Sequence, residues 1–499
     1  MARNVFKLTR RAALFGSGAI VGAGGWSYLR RNLPVLDGTA HLATDNREGY
    51  LNDASGLSQT PVASHRMLGL ADQEDLVGSL REELRIARNN GQPIAVGAAR
   101  HSMGGHSLPR DGRAVTLRHD WLFADPAAGT YRVAAGARWA DVIRHLDAIG
   151  FSPKVMQSNN DFGVVSTFSV NAHGWAVPFG PAGSTVRRVK LLTADGDLIA
   201  CSRRENAELF RLAMGGYGLF GILTELELEM VPNARLEPSY EEMPAAELGS
   251  AFVNALSGNP DIRMAYGRLN VDRDGFFSDA MLITYRPADD QTGIPVAQGS
   301  GFVSRMSRQI FRAQLGNEPV KQLRWGIETR LAKTISGSAT RNSLLNEPVV
   351  TLDDRDPDRT DILHEYFVSP ESFPAFIEAC REVIPASYQE LLNATLRYVM
   401  ADRESVLSYA PEPRIATVML FSQEMTGRAE ADMHRMTHAL IERVIAIGGT
   451  YYLPYRPHAT VDQFVRAYPR AREFAAAKRR YDPGLIFRNN FWDGYLAEL

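Results

Sequence analysis

The sequence predicts an α+β protein built from two packed domains, and three observations carry that expectation. A chain of 499 residues exceeds the size at which one hydrophobic core stops growing. Between Ala71 and Pro232, short apolar runs alternate with glycine loops and helix-period segments, whereas beyond Pro232 longer strand patterns dominate. Hydrophobic residues at 45% and charged residues at 22% place the chain among ordinary globular proteins rather than disordered or collagenous ones.

Taken in order, residues 1–35 read as a targeting segment. Arg3, Lys7, Arg10 and Arg11 precede an apolar, Gly/Ala-rich run from Ala12 to Leu29, and the adjacent Arg10-Arg11 pair has the layout of a twin-arginine export signal. The expected location is therefore the periplasm or cell envelope, with twin-arginine machinery as a partner. The competing reading is an ordinary signal or a membrane anchor, for which the glycine-rich run is short.

Residues 60–233 form the first expected domain. Leu76, Val77, Leu80, Leu84 and Ala87 recur at helical spacing and Gly91 supplies a stop. Pro93 to Gly97 and Ala114 to Leu117 read as strands around a glycine loop, followed by Tyr131 to Gly136, a helix from Trp139 to Ile149, and a Gly/Ser/Asn-rich loop from Asp161 to Trp175. Strands at Val189 to Thr193, Leu198 to Cys201 and Ile222 to Val231 close the domain. Residues 234–447 form the second, an antiparallel-sheet α+β domain with strands at Arg263 to Val271, Met281 to Tyr285, Thr395 to Met400 and Ile415 to Phe421 and helices at Ser372 to Ile384 and Arg428 to Ile447. Residues 290–350 are polar and irregular. Residues 448–499 are a closing segment.

The formal charge of -2 arises from 55 basic and 57 acidic residues in near balance, so no long-range field favours nucleic acid. Cys201 and Cys380 are too few for a disulfide framework or a cysteine-rich metal site, and no metal is assigned; a single bridge between them stays open. Gly216-Tyr217-Gly218-Leu219-Phe220-Gly221 spells the G-x-G-x-x-G dinucleotide fingerprint, but the expected order is helix before and strand after. The fingerprint needs the reverse, so that a helix N-terminus meets the pyrophosphate.

The chemistry-bearing segments are glycine loops in which successive backbone N–H groups can face one concavity and bind phosphate. Gly97 to Gly105, the loop Gly163 to Gly174, and Gly215 to Thr224, in this order, resemble the FAD-binding domain of the vanillyl-alcohol-oxidase (PCMH-type) family. The final stretch Lys478 to Asn490 is similar to that family's closing segment. The resemblance implies a two-part FAD-binding domain, an antiparallel-sheet substrate (cap) domain, and a C-terminus that returns to the FAD domain. It assigns FAD contacts to Gly97, Ala98, Ala99, Arg100, His101, Ser102, Gly105, Gly163, Ser166, Thr167, Ser169, Asn171, His173, Gly174, Gly221, Ile222 and Asn490. The position matching His101 often carries a covalent bond to the flavin; the alternative is a histidine that hydrogen-bonds a noncovalent one. Export of a folded, FAD-loaded protein suits the twin-arginine route.

Asn393 to Val399 resembles the substrate-facing segment of aldonolactone oxidases, with Arg397 matching and Thr395 standing where those enzymes place glutamate. Tyr451 to Thr460 is similar to the Pro-His stretch of L-gulonolactone oxidase and to decaprenylphosphoryl-ribose oxidase, without the lysine those enzymes carry nearby. His458 is the expected base, since imidazole titrates near neutrality, while Tyr452, Tyr455 and Arg397 can bind or polarise oxygen. The implied activity is FAD-dependent oxidation of a polyol, sugar or aldonolactone, with oxygen or another acceptor taking the electrons. Two alternatives stand: oxidation of an amine or phenolic alcohol, and a flavin-binding envelope protein without catalysis.

Overall fold

The computed structural model describes residues 42, 47–69, 73–118, 121–298, 311–330, 337–349 and 356–499. The Arg10-Arg11 segment, expected as an export signal, lies outside them. Among the described residues no helix is long and apolar enough to cross a membrane.

The described strands form three sheets. The first contains β1 (Tyr50–Leu51), β2 (Thr60–Leu68), β3 (Ile94–Gly97) and β4 (Gly112–Leu117) in the order β1-β2-β4-β3. The β2/β4 and β3/β4 pairs are parallel, so β3 reaches β4 by a crossover loop, residues 98–111, which carries the first glycine-rich segment. Helix Gln73–Asn89 buries Leu76, Leu80, Leu84 and Ala87 on the face the periodicity marks out.

The second sheet contains β5 (Leu122–Asp125), β6 (Thr130–Ala134), β7 (Phe151–Pro153), β8 (Val186–Leu192), β9 (Leu198–Ser202) and β10 (Ile222–Pro232), with β10 central between β6 and β8. The segment read as a loop after Asp161 holds a short helix, Val164–Ser169. Buried Trp139 fixes it, its indole N–H donating to Thr167 Oγ1 at 2.8 Å while that hydroxyl donates to Gly163 O at 2.9 Å. Helix Ala207–Ala213 precedes the G-x-G-x-x-G string and β10 follows it, the order that excludes a dinucleotide fingerprint.

The third sheet contains β11 (Arg235–Pro244), β12 (Met264–Leu269), β13 (Asp279–Pro287), β14 (Ala339–Thr340), β15 (Arg359–Val368), β16 (Glu390–Val399), β17 (Arg414–Glu424) and β18 (Thr450–Tyr451), in the order β14-β11-β13-β12-β16-β17-β15-β18. All its pairings are antiparallel. Helices Leu248–Gly258, Phe373–Val383 and Gly427–Ala446 supply Phe252, Phe376, Ile377, Met433, Met436 and Leu440 to the core. Because strand side chains alternate, positions 393, 395 and 397 of β16 face away from Ala394 and Leu396. The strands β11 and β15 were not anticipated: both interleave polar with apolar residues, and β15 buries Glu365 and His364 where an apolar pattern would be sought. Residues 290–350, left unassigned, contain helices Glu318–Arg330 and Arg341–Leu345.

The chain end returns to the first sheet. Ile94 N–H donates to Ile486 O at 2.7 Å and Phe487 bridges Ile94 in parallel, extending the sheet past β3. Asp482 closes the preceding turn by accepting from Ile486 N–H, Phe487 N–H and the buried Lys478 ammonium. Asn489 Nδ2 then donates to His106 O at 2.7 Å and Tyr217 O at 2.9 Å, tying two glycine loops together. Cys201 and Cys380 are buried free thiols, so the open bridge is not formed.

Candidate active site

A cavity of about 1130 Å³ lies where the glycine loops of the first two sheets face the third. Its lower wall is backbone. Gly97, Ala98, Ala99, Arg100, His101 and Ser102 line it directly after β3, with Arg100 in the left-handed region at φ 52°. Gly163, Ser166, Thr167 and Ser169 line it from the short helix, and Tyr217 and Gly218 from the loop before β10. The first two loops touch: a side-chain carbon on Gly163 would sit 2.9 Å from Ala98 Cβ and 3.0 Å from Ser166 Oγ, so only glycine permits this approach. A smaller cavity of about 50 Å³ continues from Gly97, Ala98, Ser166 and Gly218 to Gly221 and Ile222.

His101 stands in the larger cavity with its ring 4.2 Å from that of Phe162. Burial pushes this imidazole below its ordinary pKa and so favours the neutral ring, against the opposite pull of Asp161. Four of the residues assigned to FAD contact do not line either cavity. Gly105 donates its N–H to Asp53 Oδ2 at 2.8 Å. Asn171 spans Asp402 Oδ2 and Gly183 N–H, both at 2.9 Å. Asn490 donates to Thr60 Oγ1 at 2.7 Å. Gly174 packs so closely that an added Cβ would fall 1.9 Å from Met156 O. These residues hold the loops to their surroundings.

The upper wall is one face of the third sheet. Thr395 of β16 pairs with Val418 of β17, and Val418 with Glu365 of β15, so the three form one row across the sheet, all facing the cavity. Arg397, Asn393, Leu363 and Leu420 line it on neighbouring rows. Glu365 is buried at 3% exposure and meets His173 Nε2 at 2.5 Å. A buried carboxylate needs such a partner, and this one comes from the second glycine segment, so the contact clamps the cap sheet onto the loops. Burial and the adjacent Glu365 push the Tyr455 hydroxyl well above its ordinary pKa, leaving it a protonated donor beside the carboxylate. Tyr452 donates to Val170 O at 3.1 Å. Arg397 Nη1 lies 3.5 Å from His173 O.

His458, expected as the base, is not brought to this cavity. It is buried against Glu430 at 3.2 Å, with the His364 and His434 rings beside it. Burial lowers its pKa. Its neighbour Arg456 donates to Glu430 at 2.6 Å and to Met103 O at 3.3 Å, so this polar cluster braces the first glycine loop from behind. Glu365, a carboxylate that does face the cavity from the cap sheet, was missed. The available signal was an acidic residue inside the run Ile362-Leu363-His364-Glu365-Tyr366-Phe367-Val368, where a charge is costly unless used.

Residues 76–202 match a family model described as FAD binding domain. Cytokinin dehydrogenase 9 of Oryza sativa subsp. japonica is 25% identical over 40% of this chain and 39% of its own length. A putative D-arabinono-1,4-lactone oxidase of Neurospora crassa is 26% identical over 32% of this chain and 29% of its own length, and an uncharacterized oxidoreductase of the Rhodococcoides fascians fasciation locus is 26% identical over 40% and 46%. The chain thus spans less than half the length of each of these relatives. It carries a PCMH-type FAD-binding domain, and its fold is that domain plus an antiparallel-sheet cap. FAD is the cofactor.

The residues present fit the group. Arg100 Nε, Ser107 Oγ, Gln157 Nε2, His173 Nδ1 and Arg397 Nε are buried without a partner among the described residues, and all five residues line the large cavity. Buried polar atoms are rarely left so, and a polar ligand would satisfy them. The volume also exceeds the range of about 300–1,000 Å³ usual for a single small-molecule site.

Proposed function

We propose that this chain is an FAD-dependent oxidoreductase that oxidises a hydroxyl-bearing small molecule of the polyol, sugar or aldonolactone class. The observation that carries the reading is the placement of Glu365, Tyr455 and Arg397 on one wall of a cavity whose other wall is the FAD-binding loops. Bound FAD supplies a two-electron acceptor. The loops Gly97 to Ser102, Gly163 to Ser169 and Tyr217 to Ile222 hold it, and His101 is the candidate anchor for a covalent link.

Glu365 accepts the hydroxyl proton as the donor carbon is oxidised. His173 N–H, donating to the carboxylate, fixes its orientation. Arg397 and Tyr455 hold the substrate oxygen by donation. Tyr452, committed to Val170 O, shapes the wall. In the same proposal, oxygen or another acceptor takes the electrons onward, and Arg10-Arg11 directs the loaded protein to the periplasm or cell envelope.

The cytokinin dehydrogenases among the relatives favour a second reading, in which the donor is an amine. Anaerobic mixing with panels of polyols, sugars, lactones, amines and phenolic alcohols separates the two. Bleaching of the flavin colour by the first three classes supports the hydroxyl reading; bleaching only by the last two overturns it.

A further inference from the structure

Thr395 sits in a hydrogen-bond arrangement that leaves it one remaining role. Its Oγ1 accepts from Arg268 Nη1, across the β12/β16 pairing, at 3.1 Å. It also accepts from Asn393 Nδ2, two residues away on the same face, at 3.1 Å. A threonine hydroxyl has two acceptor lone pairs and one proton. Both lone pairs are taken.

The arrangement cannot reverse at Arg268, because a guanidinium has no acceptor. Nor can that side chain readily swing away. Its Nη2 donates to both oxygens of Glu328, at 3.1 and 3.2 Å, and Arg324 Nε holds the same carboxylate at 2.9 Å. Glu328 is kept ionised by these two arginines, which outweigh the opposing effect of burial. The chain Arg324, Glu328, Arg268, Thr395 therefore runs from helix Glu318–Arg330 to the cavity wall, on the face of the sheet that carries Thr395, with a fixed donor direction.

What remains is the Thr395 proton, on a residue that lines the cavity. Among the described residues, both hydrogen bonds at Oγ1 are accepted and none is donated. We propose that Thr395 is a hydrogen-bond donor to the substrate, selecting a molecule that presents a proton-free oxygen, a carbonyl or carboxylate, to β16. Arg397, two residues on, adds a second donor on the same face. Glu365, at the other end of the Thr395, Val418, Glu365 row, is the acceptor. Along and beside this row there are thus donors at Thr395 and Arg397 of β16 and an acceptor at Glu365 of β15, and the substrate is a hydroxy-carbonyl compound: its carbonyl or carboxylate oxygen lies against Thr395 and its hydroxyl against Glu365. This deepens the hydroxyl-donor reading and rests on it.

The test uses the flavin-loaded full chain and calorimetric titration with two probes, gluconolactone and the cyclic ether that is the same ring without the carbonyl oxygen. Wild type is expected to bind the lactone about fivefold to tenfold more tightly, the effect of one buried hydrogen bond. Thr395→Val, which fills the same space without the proton, brings the two probes to parity; Thr395→Ser keeps the preference. Equal flavin content in all three proteins separates lost recognition from lost folding. A preference that survives in Thr395→Val, or is absent from wild type, overturns the proposal. Flavin bleaching is read alongside the heat of binding under anaerobic conditions, so an intact preference in a protein that no donor reduces would defeat the oxidoreductase reading and leave this one standing.

Discussion

Replacing Glu365 by glutamine tests the proposed chemistry with little change in shape. The glutamine keeps a neutral acceptor for His173, which now meets the carboxylate at 2.5 Å. The lost charge costs about 1 kcal/mol of stability, the difference between a charge-assisted and a neutral hydrogen bond. A protein of this size survives that. Proton acceptance does not survive it, because an amide oxygen cannot take the proton of a departing O–H group. Loss of a positioned general base slows reaction by about 10²- to 10⁴-fold. The assay is anaerobic stopped-flow bleaching of the flavin at saturating donor, with flavin content and melting temperature as controls. A Glu365→Gln protein that holds its flavin and is reduced at the wild-type rate would refute the assignment.

Three further outcomes follow from other parts of the molecule. His101→Ala should release all flavin on acid precipitation while the wild type retains it in the pellet; release from both proteins would dismiss the covalent link. Burial holds His106 down to about pKa 3 from an ordinary 6.5. Its folded-state pKa is depressed, so the associated stability is complete above pH 6.5 and drains away as pH falls toward 3. The slope is at most about 1.4 kcal/mol per pH unit. His106→Gln should flatten that acid limb in urea melts, and an unchanged limb would show that the ring is not buried neutral. Exchanging Arg10 and Arg11 for lysines should trap the protein in the cytoplasm, and undiminished export would rule out the twin-arginine route.

What could be read from the chain follows what local chemistry announces. Helix Gln73–Asn89 is legible because its apolar residues keep a strict period, and β10 because apolar residues alternate with Glu225, Glu227 and Glu229 up to Pro232. The glycine loops are legible because close approach demands glycine, as at Gly163 beside Ala98. Gly105 and Asn490 carry the same signal for a different reason, the packing of one segment on another, so motif spacing alone does not tell a ligand contact from a brace. The cap sheet hides more. Glu365 and His173 are 192 residues apart and meet only because β15 lies across from the second glycine segment. His458 has the chemistry of a base, yet its place is set by Glu430 and Arg456, partners that no local pattern connects to it. Thr395 is plain in the sequence, but its role depends on Arg268 from the neighbouring strand.

Every role proposed for these residues requires the cavity to hold FAD between the glycine loops and the cap sheet. The absorbance spectrum of the purified, folded protein tests this directly, before and after incubation with added FAD. The prediction is a yellow protein with flavin bands, or a colourless one that turns yellow and retains the colour through gel filtration. Folded protein that stays colourless in both conditions would contradict it.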